Sequence, residues 1–377
     1  MAEPKEVLGI AFREASANLE QSFVADEEIR NKIEYVSSNI KNRAGVRLLM
    51  ACLLAKIHQP EVDIRKPYTK IEESDAFSGR TYDERYITSF INEHNLPCNN
   101  TTAFFSPALR NLNVTLTKNI NLVGRPPQLY QFVLELLDDV YTDKIQAKEM
   151  LFEIVRCLVI IKNERQQRID SLIKGLKTTK DSIPLSSEDI VILLEQHMKL
   201  TGTCRLPVLI IAAAYKAAEK NLGEKILPLH SHNTADTQTG VLGDVEITLL
   251  NDEKTITCYE MKEKCVNNKD IDRALQKLSS LNKDVDNYIF ITTDKIEETT
   301  QEYARSLYNT TGGIEFVIVD CIGFLRHFLH LFHRIRSDFL EIYQTQILEE
   351  SDNSISQPVK EAFLAMRQAA EASIEND

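Results

Sequence analysis

The chain has 377 residues, of which 43% are hydrophobic and 27% are charged, and its formal net charge is -12. This length and composition predict a globular protein of two or three domains and exclude a disordered chain. The acidic balance excludes a uniformly basic surface for non-specific nucleic-acid binding, although it allows a local basic cleft. Seven scattered cysteines without a CxxC pair predict reduced core thiols and a cytoplasmic protein. We expect no membrane partner, because no signal segment or membrane-spanning apolar run is present.

The N-terminal part of the chain is predicted to be mainly helical. Residues 5–60 have helical patterning, and the apolar stretch over 43–57 predicts a buried core helix that Pro60 ends. Helical patterning resumes at 128–137 and at 147–162. These elements indicate an α-helical domain in the first half of the chain.

Two stretches of this part carry basic side chains suited to DNA contacts. Residues 63–95 interleave basic and aromatic side chains, and residues 99–127 form a long irregular connection. Phosphate and base-edge contacts use these residue types, and long loops inside domains usually serve a function. The alternative is a structural segment whose charges face water. The candidates are Arg65, Lys66, Arg80, Arg85, Arg110 and Arg125.

A polar segment over 174–187, which contains Gly175 and Pro184, predicts a domain boundary. Ser186 and Asp189 follow it with the spacing that caps the start of a helix. We expect a mainly helical N-terminal domain over 1–180, an α/β domain over 184–345, and a C-terminal helix and tail over 346–377.

Helices and strands alternate beyond this boundary. Helices are predicted at 190–198, 207–222, 268–281, 297–308, 324–349 and 358–372, and strands at 244–250, 255–262, 286–293 and 313–320. This order predicts a mixed α/β core with a partly parallel sheet, because helices connect the later strands.

The hairpin formed by the first two strands carries the strongest functional signal. Its first strand begins at Asp244 and alternates polar with apolar residues, and its second strand ends at Lys262. Side chains two residues apart share a face of a strand, so Glu260 lies beside Lys262, and Asp244 can reach the same spot. In a Mg²⁺-dependent phosphodiesterase, two such carboxylates hold the metal and the lysine positions or deprotonates the attacking water.

The bare spacing of these three residues also arises by chance, since charged residues are common in this chain. The alternative interpretation is a solvated hairpin edge with ordinary surface charge. The apolar neighbours on both strands favour the metal site, because a charge on a central strand is costly unless it is paired or bound to a metal.

The Asp244 … Glu260-x-Lys262 arrangement resembles the PD-(D/E)xK nuclease superfamily, although Gly243 stands where the superfamily name has proline. The whole chain resembles the SacI family of type II restriction endonucleases. The motifs that carry this resemblance are Ala76-Phe-Ser-x-Arg-Thr81, Leu206-Pro-Val with its Ala-rich helix, Asn233-x-Ala-Asp-x-x-Thr-Gly-x-x-Gly-Asp-Val-Glu246, Tyr259-Glu-Met-Lys262 and Asp272-Arg-Ala-Leu-Gln-Lys277.

The resemblance implies an α/β fold: a PD-(D/E)xK core, which is a mixed sheet flanked by helices, preceded by a mainly α-helical domain that embraces and reads DNA. It implies that a homodimer cleaves both strands of double-stranded DNA at a short palindromic site, with Mg²⁺ as cofactor or Mn²⁺ in its place. A separate DNA methyltransferase would protect the host.

By position in these motifs, Asp244 and Glu260 are the metal ligands and Lys262 serves the water. Glu219 is a further candidate for the metal, and Asp236 and Glu246 are candidates for an additional ligand or an orienting role. Two alternatives stay open: a repair or junction-resolving nuclease of the same superfamily, and a non-catalytic DNA-binding module with a vestigial nuclease core.

Overall fold

The structure is a computed structural model that describes residues 3–39, 42–99, 101–177, 184–229, 242–252, 254–281 and 285–374. The chain divides into two units, one over Met1–Arg168 and the other over Ile169–Asp377. This division does not test the predicted domain boundaries at 180 and 345, which stay predictions.

The first unit is built from helices, as the sequence predicts. Its α-helices are α1 (Pro4–Ala17), α2 (Glu27–Ser38), α3 (Ala44–His58), α4 (Gly79–Tyr82), α5 (Thr88–Glu93), α6 (Pro127–Tyr141) and most of α7 (Ala147–Lys177). A π-helical turn over Asp83–Ile87 joins α4 to α5, and 3₁₀ turns lie at Thr69–Ile71 and Ala103–Phe105. Every residue of α3 from Ala44 to Ala55 is buried, which confirms the predicted core helix.

A buried ion pair fixes the irregular segments around α3. The side chains of Arg47 and Asp83 are both fully buried, and the Arg47 Nε donates to the Asp83 carboxylate at 2.9 Å. The same carboxylate accepts hydrogen bonds from the Thr102 hydroxyl and the Ala103 N–H. Because a buried charge is tolerated only when it is paired, this network anchors the start of the long connection to the core helix.

The second unit combines helices with a sheet. Its further helices are α8 (Ser187–Met198), α9 (Leu206–Leu222), α10 (Asn268–Leu281), α11 (Glu298–Ser306), α12 (Cys321–Leu331), α13 (Arg336–Glu349) and α14 (Gln357–Ile374). Its strands are β1 (Glu224–Ile226), β2 (Val245–Leu249), β3 (Thr255–Lys262), β4 (Asn287–Thr292) and β5 (Glu315–Asp320). Ser186 and Asp189 form the predicted capping box at the start of α8.

The five strands form one mixed sheet in the order β1-β2-β3-β4-β5. The pairs β1–β2 and β2–β3 are antiparallel, whereas β3–β4 and β4–β5 are parallel. This topology confirms the predicted hairpin and the predicted parallel portion. Strand β1, which the sequence did not predict, extends the sheet beyond the hairpin.

Each face of the sheet packs against its own set of helices. On one face, Val245, Ile247 and Tyr259 join a core with residues of α8, α9 and α12 to α14. On the other face, Cys258 and Tyr288 join a core with residues of α10 and α11. Glu260 and Lys262 alternate with Tyr259 along β3, so they share the face that carries α10 and α11.

The predicted single helix over 324–349 is wrong, because the structure divides this stretch into α12 and α13. A 3₁₀ turn over His333–Ile335 joins the two helices. No glycine or proline marks the break, and the cause is tertiary packing. The Phe328 ring lies 5.1 Å from the Phe332 ring and 6.0 Å from the Phe339 ring, so the chain turns around an aromatic cluster.

All seven cysteines are free, and five of them are buried, in agreement with the predicted core thiols. Within the described ranges, no helix is long and apolar enough to cross a membrane.

Candidate active site

Asp244 is tied to the neighbouring strand by two hydrogen bonds. Its backbone N–H donates to the Tyr259 carbonyl at 2.8 Å, and its Oδ2 accepts from the Met261 N–H at 2.8 Å. These bonds hold the carboxylate at the end of the hairpin where Glu260 and Lys262 lie. The structure therefore brings the three predicted catalytic residues together.

Gly243 stands where no side chain fits. A Cβ built there would lie 2.4 Å from the Cys258 Sγ and 2.5 Å from the Tyr259 carbonyl oxygen, closer than real Cβ contacts come. The departure from the superfamily's proline thus has a packing reason, because residue 243 lies directly against the backbone of β3.

Lys262 lies between two carboxylates. Its Nζ is 2.6 Å from the Glu260 Oε1 and 3.8 Å from the Asp270 Oδ1, and the Lys262 and Glu260 side chains are about three-quarters buried. Burial lowers the pKa of Lys262, but the charges of Glu260 and Asp270 outweigh it and raise the net value above the ordinary one. Lys262 is therefore a cation at neutral pH in this arrangement.

Asp270 was not predicted from the sequence. It lies in the first turn of α10, where its Oδ2 accepts from the Asn267 N–H at 3.1 Å. The Asn267 side chain in turn accepts from the Lys269 N–H at 3.0 Å. These helix-start bonds orient Asp270 toward Lys262, and a cation there balances the acidic residues of the site.

Tyr288 is the second residue that the sequence did not reveal. Its side chain is fully buried on β4, and its hydroxyl donates to the Glu260 carboxylate and lies 3.0 Å from the Leu242 carbonyl oxygen. Burial, and then the charge of Glu260, raises the pKa of Tyr288 far above its ordinary value. The phenol therefore stays protonated. Its position in the run 288–291, which is Tyr-Ile-Phe-Ile, is typical of a core residue, and no sequence signal distinguishes it.

A pocket of about 480 Å³ opens beside these residues. Asp244, Lys262, Lys264 and Asp270 line it together with the first turn of α9, including Pro207. The first turns of α9 and α10 both border this pocket, and helix N-termini carry partial positive charge that favours anions. The lining carries two lysines and three carboxylates, those of Asp244, Glu263 and Asp270, so a phosphate group there would need a bound cation as well as the lysines and the helix starts.

The other predicted acidic residues do not join this cluster. Because an α-helix rises about 1.5 Å per residue, Glu219 lies roughly 16 Å along α9 from Val208, which lines the pocket. Glu219 is therefore withdrawn as a metal ligand. Asp236 lies outside the described residues.

Glu246 has a structural role instead of a ligand role. Its Oε1 accepts from the Leu242 N–H at 2.5 Å, and its Oε2 accepts from the Thr255 hydroxyl at 3.2 Å. These bonds fix the segment that leads into Asp244. Glu246 is accordingly a positioning residue for the hairpin.

Two of the six predicted DNA contacts are held inside the first unit. Arg65 forms two hydrogen bonds with Asp63, and its guanidinium lies 3.2 Å from the centre of the Tyr141 ring. Lys66 pairs with Asp75 at 2.8 Å and with Glu73. Both side chains are largely buried and neutralised, so we withdraw Arg65 and Lys66 as phosphate contacts.

The other four predicted contacts, Arg80, Arg85, Arg110 and Arg125, are exposed. Arg80 pairs with Glu84 at 2.7 Å, and its guanidinium lies 4.5 Å from the centre of the Phe105 ring, which is itself 54% exposed. An exposed arginine on an exposed aromatic ring suits contact with a nucleic acid.

The donor set fits a hard divalent cation. Mg²⁺ typically binds one or two protein carboxylates and completes its shell with water and phosphate oxygens, and Asp244 and Glu260 supply two carboxylates. A carboxylate has about four lone-pair sites, so the bonds of Glu260 to Lys262 and Tyr288 leave acceptor capacity. In the described part of the chain, no three His, Cys, Asp or Glu side chains form a preformed metal cluster.

Residues 189–293 match the family model of the SacI restriction endonuclease C-terminal domain. The matched segment runs from α8 to the end of β4 and contains Asp244, Glu260, Lys262 and Tyr288. The comparison thus confirms the SacI-family resemblance over this domain, and the PD-(D/E)xK core stays a prediction. No curated protein matches the chain.

Proposed function

We propose that the protein is a type II restriction endonuclease, because residues 189–293 of its second unit match the family model of the SacI restriction endonuclease C-terminal domain. It hydrolyses phosphodiester bonds in both strands of double-stranded DNA at a short palindromic site. The observation that carries this proposal is the cluster of Asp244, Glu260 and Lys262 beside one pocket of the matched domain.

A palindromic site has two-fold symmetry, so the proposed enzyme acts as a homodimer whose copies each cut one strand. Such an enzyme would also cut the genome of its host. The proposal therefore includes a separate DNA methyltransferase that modifies the same sites.

Each side chain of the cluster has its own proposed role. Lys262 places a cation and N–H donors beside the pocket, where they stabilise the charge that develops on a phosphate during hydrolysis. Asp244 and Glu260 are the proposed ligands of Mg²⁺ or Mn²⁺, which would act as a Lewis acid toward the phosphate and would acidify water. Asp270, 3.8 Å from the same Nζ, adds a second negative charge beside Lys262.

The direct test is digestion of a plasmid by the purified protein in Mg²⁺, followed by sequencing of the ends. Discrete fragments that share one end sequence are expected, and excess chelator should stop cleavage because the site offers hard oxygen ligands. Nicking that depends on DNA junctions would indicate a repair nuclease. Binding without cleavage in Mg²⁺ or Mn²⁺ would indicate a non-catalytic module, and full activity in chelator would refute the metal assignment.

The exposed arginines of the first unit are proposed to contact phosphates. Replacing Arg80 or Arg85 with alanine should weaken DNA binding and lower the slope of log affinity against log salt by about one per lost contact. Binding is measured by anisotropy in metal-free buffer across a salt series.

Arg13→Ala is the matched control for these variants, because Arg13 is also an exposed arginine of the first unit but lies on α1, outside the predicted stretches. If both test variants bind DNA with the affinity and salt slope of the parent, neither arginine contacts phosphates, and both carry ordinary surface charge. An equal loss in the control would show a general effect of net charge.

A further inference from the structure

Tyr288 links the two segments of the hairpin that carry the proposed metal ligands. Its hydroxyl donates to Glu260 and lies 3.0 Å from the carbonyl oxygen of Leu242, two residues before Asp244. A phenol has one proton, so it donates to one acceptor at a time, and the charged carboxylate is the stronger acceptor. One buried hydroxyl thus touches both ligand-bearing segments.

The sheet explains how this tyrosine reaches the site. Tyr288 pairs in parallel register with Cys258, two residues before Glu260 on the same face of β3. Its ring packs beside two aromatic rings, 5.2 Å from the Phe290 ring and 5.6 Å from the Phe316 ring. The hydroxyl therefore has a fixed position, set by the core of the sheet.

Glu260 needs such a partner because Lys262 competes for it. The lysine Nζ lies 2.6 Å from one carboxylate oxygen, and the long glutamate side chain can follow this cation away from a bound metal. A hydrogen bond to the other oxygen fixes the rotation of the carboxylate. Neighbours that orient a ligand in this way are commonly needed for full metal affinity.

We propose that Tyr288 is a positioning residue that holds Glu260 in the orientation required to bind the catalytic metal ion. This inference depends on the proposed nuclease function, because it assigns a role within the same site. It also gives a fully buried hydroxyl a function that core packing alone does not require.

The test is Tyr288→Phe, which removes the hydroxyl and keeps the ring contacts. Tyr303→Phe is the matched control, because Tyr303 also donates to a carboxylate of α10, that of Asp272. We expect Tyr288→Phe to need about 10- to 100-fold more Mg²⁺ for half-maximal cleavage. Its cleavage rate at saturating Mg²⁺ should stay close to that of the parent, and Tyr303→Phe should match the parent in both.

A second measurement does not depend on cleavage. Mn²⁺ added without DNA should raise the unfolding temperature of the parent, since a ligand that binds the folded state stabilises it, and Tyr288→Phe should require correspondingly more Mn²⁺ for the same rise. Parental metal dependence in both assays would overturn the assignment. So would a variant that fails to fold, because the hydroxyl would then be a structural group. A parent that does not cleave DNA would instead refute the proposed function.

Discussion

Replacing Lys262 with alanine is expected to slow DNA cleavage by about 10²- to 10⁴-fold while the protein stays folded. The variant loses the cation that lies 2.6 Å from Glu260 and lines the pocket. It also loses the competitor of a metal ion for that carboxylate, so Mn²⁺ should bind at least as tightly as in the parent. Slow cleavage together with retained Mn²⁺ binding would show that the variant has lost catalysis and has kept its metal site.

Lys269→Ala is the control, because Lys269 is an exposed lysine in the first turn of α10 that does not belong to the pocket lining. Single-turnover cleavage of a plasmid measures the rate, and circular dichroism checks the fold. A folded Lys262→Ala protein that cuts at close to the parental rate would show that the catalytic hairpin is misassigned.

Replacing Asp244 with asparagine, or Glu260 with glutamine, is expected to abolish cleavage. Each change removes one of the two carboxylates proposed to hold the metal and leaves the size of the side chain almost unchanged. An amide oxygen at position 244 can still accept from the Met261 N–H, so the hairpin should keep its shape. Without metal, both variants should bind DNA as well as the parent or better, because a negative charge facing the phosphates has been removed.

Glu263→Gln is the matched control, since Glu263 is an exposed carboxylate that lines the same pocket. Plasmid cleavage and metal-free DNA binding are measured for all three variants. Robust Mg²⁺-dependent cleavage by either test variant would remove that residue from the metal site. An equal loss of cleavage in the control would show that the charge of the pocket, and no particular ligand, governs activity.

The elements with strong periodic patterns could be predicted from the sequence. The second strand of the hairpin was predicted over 255–262 and is observed over Thr255–Lys262, and the helix that follows was predicted at its observed bounds of 268 and 281. Alternation along β3 also placed Glu260 beside Lys262 correctly, because a strand repeats every two residues. These predictions depended on local chain geometry alone.

The rest of the site depends on contacts between distant segments. Tyr288 reaches Glu260 only through the parallel register of β3 and β4, which one sequence does not reveal. Glu219 was predicted as a ligand from the face of α9 on which it lies, but this face does not reveal its distance from the pocket at the start of α9. Arg65 and Lys66 have the composition of phosphate contacts, yet the carboxylates of Asp63 and Asp75 neutralise them in the fold.

Gly243 shows that close packing alone can restrict a residue next to a proposed catalytic residue. Any amino-acid substitution at this position adds a carbon where the backbone of β3 already lies. Selection will therefore act on residue 243 although it brings no side chain to the chemistry. If glycine proves invariant among relatives, its invariance will record the close approach of the segment before β2 to the backbone of β3 and not a role in hydrolysis.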